Sequence, residues 1–450
     1  MMKIGLIPFY LELYDNLSAK NREGVVPLVK KIAEELQKRD LEVIEAPVCR
    51  LKNEFSDAIK SFEAAGCCAI ATLHLAYSPS LEAIDAFAAT NLPIVIIDTT
   101  IDYEFECPSG IMANHGIHGV QDFCNLLLRR GKTFLLAAGH WQYSDCLEQT
   151  AKNLKSAAMA YRMTHGRVGK VGGDFEGMGD FRFPEGSFGM QIIDYEYEDA
   201  FKVSDSEIEA EKALDKERFY IPEKISDETM NNTMSASLII RKWAEMKKLD
   251  AFTIAFPGIN RSSNWATVPF LECSKAMARG IGYAGEGDAL TALLCRCLLD
   301  IYPESSFTEM FCPDWKNERI FTSHMGEINP AVCAAPLNLH EQNYRFSDTG
   351  NPAIGCGCLK SGNAILVNLA PGADGKFTLI AAKVVFDEVK GPSTATNAGY
   401  FRPVNGTIAE FLKAYSEVGG THHLVCSYNA DVEIIRNWAK LMKWDFVLID

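Results

Sequence analysis

The first 165 residues alternate between short apolar runs and longer segments with apolar residues at helical spacing. Apolar runs of strand length occupy residues 3–8, 41–46, 67–74, 93–98 and 133–138. Helical spacing is found at residues 21–38, 57–65, 81–89, 115–130 and 147–163. Five strand–helix units in series predict a parallel sheet that is covered by helices on both faces.

Polar side chains follow several of these predicted strands. His74, Asp98 and His140 each stand at or just after the end of an apolar run. Ligands of parallel sheets bind at the carboxyl ends of the strands, so we expect these three residues at one edge of the sheet. For His74, His140 and the neighbouring Trp141, packing beneath this edge and a functional role both remain open.

The pattern changes after residue 165. A glycine-rich stretch at residues 166–174 matches neither the dinucleotide-binding spacing nor the phosphate-loop spacing, and we interpret it as a domain junction. A second mixed α/β region follows, with predicted helices at 206–214, 227–247 and 268–280 and a strand at 251–256. Beyond residue 320, alternating runs lie at 364–369, 376–382 and 383–387. A Pro-Gly turn follows the first run and a Gly-Pro turn follows the last, and this pattern indicates an antiparallel barrel.

The composition narrows the class of protein. A chain of 450 residues with 48% hydrophobic content can form two or three domains. A net charge of −15 argues against a nucleic-acid partner, since phosphate binding requires a basic surface. With neither an export signal nor an apolar run long enough to span a bilayer, we expect no membrane association and a cytoplasmic location. The 14 cysteines lack Cys-x-x-Cys spacing, which favours reduced thiols.

Acidic and histidine residues recur in turn-rich segments of the second half. Glu286 lies between glycines just before a helical pattern, and Glu309, His324 and the pair His422–His423 follow downstream. Two carboxylates and two imidazoles make an oxygen and nitrogen ligand set for one divalent cation, which suits manganese better than a thiolate zinc site does. Taken singly, a glutamate in a loop is usually a solvated surface charge, and a lone histidine is more often a hydrogen-bonded polar residue than a ligand.

Four motifs in this half resemble the metal-site motifs of the L-arabinose isomerase family, in the same order and with similar spacing. They are Gly-Tyr-Ala-Gly-Glu-Gly-Asp at 282–288, Ser-Phe-Thr-Glu at 306–309, Ser-His-Met-Gly-Glu at 323–327 and Gly-Gly-Thr-His-His at 419–423. The resemblance implies two flavodoxin-like or Rossmann-like α/β domains followed by a C-terminal antiparallel β-barrel domain. We place these domains at residues 1–165, 166–315 and 316–450, with Glu286 and Glu309 in the second and His324 and His423 in the third.

The same resemblance implies an activity. It points to an aldose–ketose isomerase that uses Mn²⁺, or another divalent cation such as Co²⁺ or Mg²⁺, bound by Glu286, Glu309, His324 and His423. The two carboxylates would also act as general acid and base through an enediolate, while the metal polarises the sugar oxygens. A homo-oligomer, either a tetramer or a hexamer, with its active site near a subunit interface is implied as well.

Five residues are expected to contact the sugar, and two positions of the chain differ from the family. The candidates are His118, Phe256, Leu11, Glu12 and His422. Leu11 stands where the family motif has glutamine, and Ala289 stands where it has tryptophan. We therefore expect a monosaccharide substrate other than L-arabinose. The alternative for His118 is a position on a helix face, and the alternative for Phe256 is a position in the core.

Two other classes of protein remain open. A metal-dependent hydrolase or lyase acting on a sugar-like substrate can use the same two glutamates and two histidines. A non-catalytic sugar-binding protein can share the tandem α/β architecture, because fold alone does not determine function. The binding protein would not require buried metal-binding carboxylates, and substrate screening with and without Mn²⁺ separates the hydrolase or lyase from an isomerase.

Overall fold

The structure is a computed structural model. It describes residues 2–17, 19–108, 110–184, 186–196, 201–260, 265–389 and 396–450. The chain forms two compact units. The first comprises Met1–Arg162 and Glu433–Lys443, and the second comprises Met163–Val432 and Trp444–Asp450. The division into three domains at residues 165 and 315 stays a prediction.

The first unit contains a five-stranded parallel sheet in the order β2-β1-β3-β4-β5. Its strands are β1 (Met2–Phe9), β2 (Leu41–Glu45), β3 (Ile70–His74), β4 (Ile94–Asp98) and β5 (Phe134–Ala138). Its helices up to residue 165 are α1 (Glu12–Leu17), α2 (Ala19–Val25), α3 (Pro27–Gln37), α4 (Lys52–Ala64), α5 (Ser80–Ala89), α6 (Ile111–Asn114), α7 (Gly116–Arg129) and α8 (Cys146–His165).

Alternate side chains of each strand pack into two separate apolar cores. In β1, Ile4 and Leu6 belong to one core, while Ile7 and Phe9 belong to the other. The predicted parallel sheet with helices on both faces is therefore confirmed. The single helix predicted over 21–38 is instead two helices, because Pro27 lacks an N–H group and begins α3 as a new helix.

The second unit begins with a smaller parallel sheet in the order β7-β6-β8-β9. The strands are β6 (Arg167–Val171), β7 (Gln191–Asp194), β8 (Ala251–Ile254) and β9 (Gly282–Gly285). The helices are α9 (Asp205–Arg218), α10 (Asp227–Lys247), α11 (Phe270–Ala278) and α12 (Ala289–Leu299). Ser204, Ser226 and Asp288 cap the first turns of α9, α10 and α12 with their side-chain oxygens, which explains where these helices begin.

An antiparallel barrel completes the second unit. The remaining elements are β10 (Ser305–Asp314), β11 (Arg319–Ser323), β12 (Asn338–Glu341), β13 (Ala353–Cys356), β14 (Gly362–Pro371), β15 (Phe377–Phe386), β16 (Gly399–Pro403), α13 (Ile408–Glu417), β17 (His423–Tyr428), α14 (Val432–Met442) and β18 (Asp445–Ile449). Strands β14-β17-β10-β11-β16-β15 form six neighbours in order, and pairing of β14 with β15 closes the barrel. This confirms the predicted barrel.

The barrel differs from the sequence pattern in two respects. Its first strand, β10, begins at Ser305, so residues 305–314 pair with barrel strands although the predicted division assigns them to the central domain. The runs predicted at 376–382 and 383–387 join into the single strand β15. Strand β18 pairs with β15 in parallel, and most of α14 belongs to the first unit. Among the described helices, none is long and apolar enough to cross a membrane.

Candidate metal centre

Glu286 lies in a strained turn immediately after β9. Its φ of +63° is in the left-handed region that side chains other than glycine rarely adopt, and Gly287 follows at +88°. The backbone is fixed on both sides: Glu286 N donates to the Ile254 carbonyl over 2.7 Å, and Phe175 N donates to the Glu286 carbonyl over 3.3 Å. The glycine-flanked motif in the sequence is therefore a requirement of this turn.

The barrel supplies the other groups through the register of three neighbouring strands. Glu309 on β10 lies directly opposite His423 on β17 and opposite Ser323 on β11. His324 follows Ser323 in the chain. Opposite residues in an antiparallel pair point to the same face with their Cβ atoms about 5 Å apart, so the register brings these side chains together. Glu309 is thus a barrel residue that faces the end of the second parallel sheet.

Four side chains converge on one point. Glu286, Glu309, His422 and His423 each offer one donor atom, and these atoms all lie within 4.8 Å of one another. His423 Nε2 is 2.9 Å from Glu309 Oε1 and 3.4 Å from Glu286 Oε2. Within the described residues, however, neither this nitrogen nor Glu286 Oε2 makes a hydrogen bond, although both atoms are buried. Buried lone pairs that point at one another without bonding fit a cation between them.

His324 stands beside this group of four. Its Nε2 lies 3.5 Å from Glu309 Oε1, and its ring centroid is 6.2 Å from that of His423. The four residues predicted as ligands therefore meet in one place, and the structure adds His422 to them. Which of the three histidines bind the cation stays a prediction.

Each of these histidines has a carboxylate partner at its Nδ1 atom. Asp288 Oδ2 is 2.9 Å from His423, Glu327 Oε2 is 2.7 Å from His324, and Asp180 Oδ2 is 2.6 Å from His422. A carboxylate that accepts from Nδ1 fixes the tautomer and leaves Nε2 free for a metal.

Sequence reasoning assigned no role to these three carboxylates. Asp288 and Glu327 lie inside the quoted motifs, and their spacing from a candidate ligand was an available signal. Asp180 lies in the segment between β6 and β7, far from any motif, and the sequence gives no sign that it meets His422.

Aromatic rings and one glycine hold the imidazoles in place. The Phe181 ring stacks on His423 with centroids 5.0 Å apart and planes 9° apart, while Phe307 packs its edge against His324 and His423. At Gly285, an added Cβ would lie 2.8 Å from His324 Cε1, closer than real contacts allow. The ring positions therefore depend on close packing as well as on hydrogen bonds.

The surrounding carboxylates shift the protonation of the centre. Burial alone would lower the pKa of His423, but the adjacent carboxylates, led by Asp288, raise it well above its ordinary value. The pKa of His324 is also raised, because nearby carboxylates outweigh its burial. For Glu286, burial would raise the pKa, but the histidines lower it to about 2. A divalent cation would take over the role of these imidazolium protons.

The remaining candidate residues lie elsewhere. Phe256 follows β8 in the second unit, where it is buried and packs against Phe175 and the exposed Phe346. His118 on α7 lies in the first unit with its Nδ1 atom 2.8 Å from His115 Nε2. Leu11 and Glu12 also lie in the first unit, at the start of α1, and Glu12 is exposed.

The predicted edge of the first sheet carries the residues expected there. His74 ends β3, Asp98 ends β4, and His140 follows β5. His74 is buried beside Ser78, and burial lowers the pKa of its imidazole to about 3. It is therefore a neutral, packed side chain. His140 is partly exposed and stacks on Tyr143.

Comparisons with known proteins show similarity to L-arabinose isomerases. Residues 304–445 match the family model of the L-arabinose isomerase C-terminal domain. The chain is 24% identical to an L-arabinose isomerase of Bacillus subtilis over 85% of this chain and 81% of that protein. It is 24% identical to that of Shouchella clausii over 99% and 93%, and 25% identical to that of Aeromonas hydrophila over 83% and 79%. These matches make the chain similar to L-arabinose isomerases over most of its length.

Proposed function

We propose that the protein is a cytoplasmic, metal-dependent aldose–ketose isomerase that acts on a monosaccharide. The observation that carries this proposal is the convergence of Glu286, Glu309 and His423 on one point, where the buried Glu286 Oε2 and His423 Nε2 atoms make no hydrogen bond to the described residues. The similarity to L-arabinose isomerases supports an isomerase over a sugar hydrolase or lyase and over a non-catalytic sugar-binding protein.

The donor set fits a divalent cation that prefers oxygen and nitrogen ligands, such as Mn²⁺, Co²⁺ or Mg²⁺. Glu286, Glu309, His324 and His423 would hold it, with His422 beside them. When bound, a cation of this kind polarises the sugar oxygens and orients them. Asp288 and Glu327 support that role by fixing the Nδ1 side of the two histidines.

The two glutamates are the groups that move protons. Isomerisation takes a proton from C2 of the aldose, forms an enediolate and returns the proton to C1. Glu286 is ionised at neutral pH, since its pKa is lowered to about 2, and its buried Oε2 atom has no hydrogen bond within the described residues. It is therefore in the unprotonated form that a general base requires. Glu309, held 2.9 Å from His423 Nε2, serves as the second acid–base group for the sugar hydroxyls.

The direct test is a conversion assay. The purified protein is stripped with EDTA, reloaded with Mn²⁺ and incubated with a panel of pentoses, hexoses and deoxysugars, and the products are identified by NMR. We expect ketose formation in the reloaded protein and none in the stripped protein. Binding of a sugar without conversion, or products of bond cleavage, would contradict the proposal.

We propose further that L-arabinose is not the preferred substrate. Leu11 offers neither a donor nor an acceptor where the family motif has glutamine, and a site that leaves a sugar hydroxyl unpaired loses about 1–3 kcal/mol. The measurement is kcat/KM for L-arabinose against the sugar panel in Mn²⁺. A kcat/KM for L-arabinose that exceeds all the others would refute this proposal.

We propose a homo-oligomer in which the carboxyl edge of the first unit forms the subunit contact. Exposed apolar side chains gather at this edge, in the segments that follow β1, β4 and β5; they are Leu13, Leu17, Tyr103, Phe105, Ile117 and Tyr143. Apolar side chains exposed together in this number are typical of an interface. A tetramer or hexamer would bring His118 and this edge to the metal centre of a neighbouring copy.

Light scattering tests the assembly. The double variant Leu17→Glu with Tyr103→Glu should dissociate the oligomer, because it places two charges within the contact. The control is Leu128→Glu, a similarly exposed residue near the end of α7 and away from the edge. A monomeric wild-type protein, or dissociation by the control alone, would refute the proposed contact.

A further inference from the structure

A second cavity lies beside the candidate metal centre, next to β6, β7 and the first residue of α12. Its volume is about 470 Å³, within the range of about 300–1,000 Å³ that is typical of small-molecule sites. We call it the side cavity and define it by Lys170, Asp174, Phe181, Arg182, Ile192 and Ala289. Of its lining residues, Gly287 belongs to one of the four motifs.

The side cavity and the metal centre share a thin wall. Phe181 lines the cavity, and its ring also stacks on His423 at 5.0 Å. Gly287, which joins Glu286 to Asp288, lines the cavity as well. Ala289, three residues after Glu286 at the start of α12, contributes only a methyl group to the lining. The far end of a molecule that is bound at the metal centre can therefore reach the cavity.

The charges that line the cavity are balanced. Lys170 Nζ is 2.5 Å from Asp174 Oδ1, and Arg182 donates to the carbonyl oxygens of Met178 and Phe175 over 2.8 and 3.2 Å. Asp194 adds a second carboxylate to the lining. The two cations of the lining are matched by two carboxylates, and both cations already have partners. The cavity therefore offers no excess positive charge for a phosphate or another anion.

The remaining features suit a neutral, hydroxyl-rich group. A hydroxyl can donate to Asp174 or Asp194 and accept from Arg182, so it uses both kinds of partner in the cavity. Phe181 and Ile192 add apolar surface against which the carbon face of a sugar can pack. This combination of carboxylates, a guanidinium and an aromatic ring matches an uncharged polyol better than either an anion or a purely apolar ligand.

We infer that the side cavity binds an uncharged polyhydroxyl group that extends from the reacting sugar, either the tail of a hexose or a glycosyl substituent. The inference rests on the proposed isomerase function, because it assumes that the reacting end lies at Glu286 and Glu309. Substrates longer than a pentose should therefore bind more tightly than a pentose does.

Binding of alditols, which cannot react, tests the cavity separately from catalysis. Calorimetric titration of the Mn²⁺-loaded full-length protein compares arabinitol in both enantiomers, glucitol and galactitol, and the glycosylated alditols maltitol and lactitol. At least one longer alditol should bind about tenfold more tightly than arabinitol, which corresponds to two added hydrogen bonds. In Ile192→Trp, which fills the cavity from its exposed side, the ratio should fall to about one.

The control variant is Leu214→Trp, an equally exposed apolar residue on α9 outside the cavity, in which the ratio should persist. Thermal melting of both variants confirms that they are folded. The inference is overturned if no alditol binds, if arabinitol binds as tightly as the longer alditols, or if Ile192→Trp retains the ratio. The inference is also overturned if glucitol 6-phosphate binds more tightly than glucitol, since that result indicates an anion site.

The conversion assay keeps the two proposals apart. If the Mn²⁺-loaded protein converts no aldose but still prefers the longer alditols, the isomerase proposal fails and the cavity stands as a polyol site. If it converts a pentose and shows no preference for length, the cavity inference fails and the isomerase proposal stands.

Discussion

Two groups of buried charged side chains lie in the second unit, and they differ in how their charges are balanced. The first joins α9, α10 and α11, and we call it the charge network; it consists of Glu211, Asp215, Arg241, Glu272 and Lys275. The second is the candidate metal centre. Carboxylates are largely buried in both groups, and the contrast between the groups lies in the cations that face these carboxylates.

In the charge network every carboxylate faces a fixed cation. Lys275 Nζ lies 2.7 Å from Glu211 Oε1 and 2.8 Å from Asp215 Oδ2, and Arg241 bridges Glu211 and Glu272. In the metal centre, the neighbours recorded for Glu286 and Glu309 among the described residues are imidazoles, whose charge depends on a proton. Buried charge that is neutralised by lysine and arginine is expected to stabilise the fold, whereas carboxylates without a fixed cation are expected at a ligand site.

The largest expected effect is the loss of activity on removing one carboxylate of the metal centre. Glu309→Gln keeps the shape but removes the charge, so we expect isomerase activity to fall by at least about 10³-fold and stabilisation by Mn²⁺ to disappear. Initial rates and thermal melts with and without Mn²⁺ measure both effects. Glu304→Gln, a partly exposed glutamate just before β10, is the matched control and should retain activity. Full activity of Glu309→Gln would show that Glu309 does not belong to the active site.

A large effect of a different kind is expected in the charge network. Lys275→Met leaves Glu211 and Asp215 buried without their shared cation, which should lower the free energy of unfolding by about 3–5 kcal/mol. Urea denaturation measures this change, and the folded variant should still bind Mn²⁺. The exposed Lys216→Met on α9 should change stability by no more than about 0.5 kcal/mol. A stable Lys275→Met variant that has lost Mn²⁺ binding would reverse the roles of the two groups.

A smaller effect is expected from the carboxylate behind His423. Asp288→Asn retains a side chain that can cap α12, so it tests the charge at His423 Nδ1 without removing the cap. We expect Mn²⁺ affinity to fall by about 10–100-fold, measured by calorimetry on protein stripped with EDTA. Asp205→Asn, at the exposed start of α9, should leave the affinity unchanged. Equal affinities for both variants would limit Asp288 to a role in the helix cap.

The smallest expected effect is a difference in response to pH. The pKa values of His423 and His324 are both raised, which favours protonated imidazoles in metal-stripped protein, so Mn²⁺ binding should release at least one proton. Mn²⁺ affinity should therefore increase as the pH rises. Titrations in two buffers of different ionisation enthalpy count the protons, and release of none would contradict the assignment.

The stability that the charge network contributes should not depend on pH near neutrality. Although burial alone would raise it, the pKa of Glu211 is lowered to about 2 by Arg241 and Lys275. A depressed carboxyl pKa contributes stability above the unfolded value of about 4.5, and this contribution is lost as the pH falls towards 2. From pH 5 to pH 8 the contribution of Glu211 to unfolding should stay constant, which urea melts across this range can check.

Much of the fold was predictable because its signals are local. The apolar runs of the first sheet and the alternation in the barrel are periodic, and the structure confirms both. The division into α2 and α3 depends on Pro27 alone, a local signal that the helical spacing masked. The single strand β15 was predicted as two runs because Lys383 interrupts its apolar alternation without ending the strand.

The candidate site was predictable only in part. Glu286, Glu309, His324 and His423 were singled out from motifs, yet their convergence depends on strand register, which apolar spacing does not reveal. His422 was expected to contact the sugar, and its place within the tight group of four follows from three-dimensional geometry. Asp180 could not have been found, because it meets His422 only through the path of the segment after β6.

The pairing of Glu309 with His423 has a consequence for how the barrel reaches its native state. A slip of one residue between β10 and β17 would turn the Glu309 side chain to the opposite face of the sheet and away from His423. A divalent cation that binds only the native arrangement lowers the free energy of that register relative to every slipped alternative, by mass action. The availability of the metal during synthesis would then affect the yield of correctly folded chains as well as their activity.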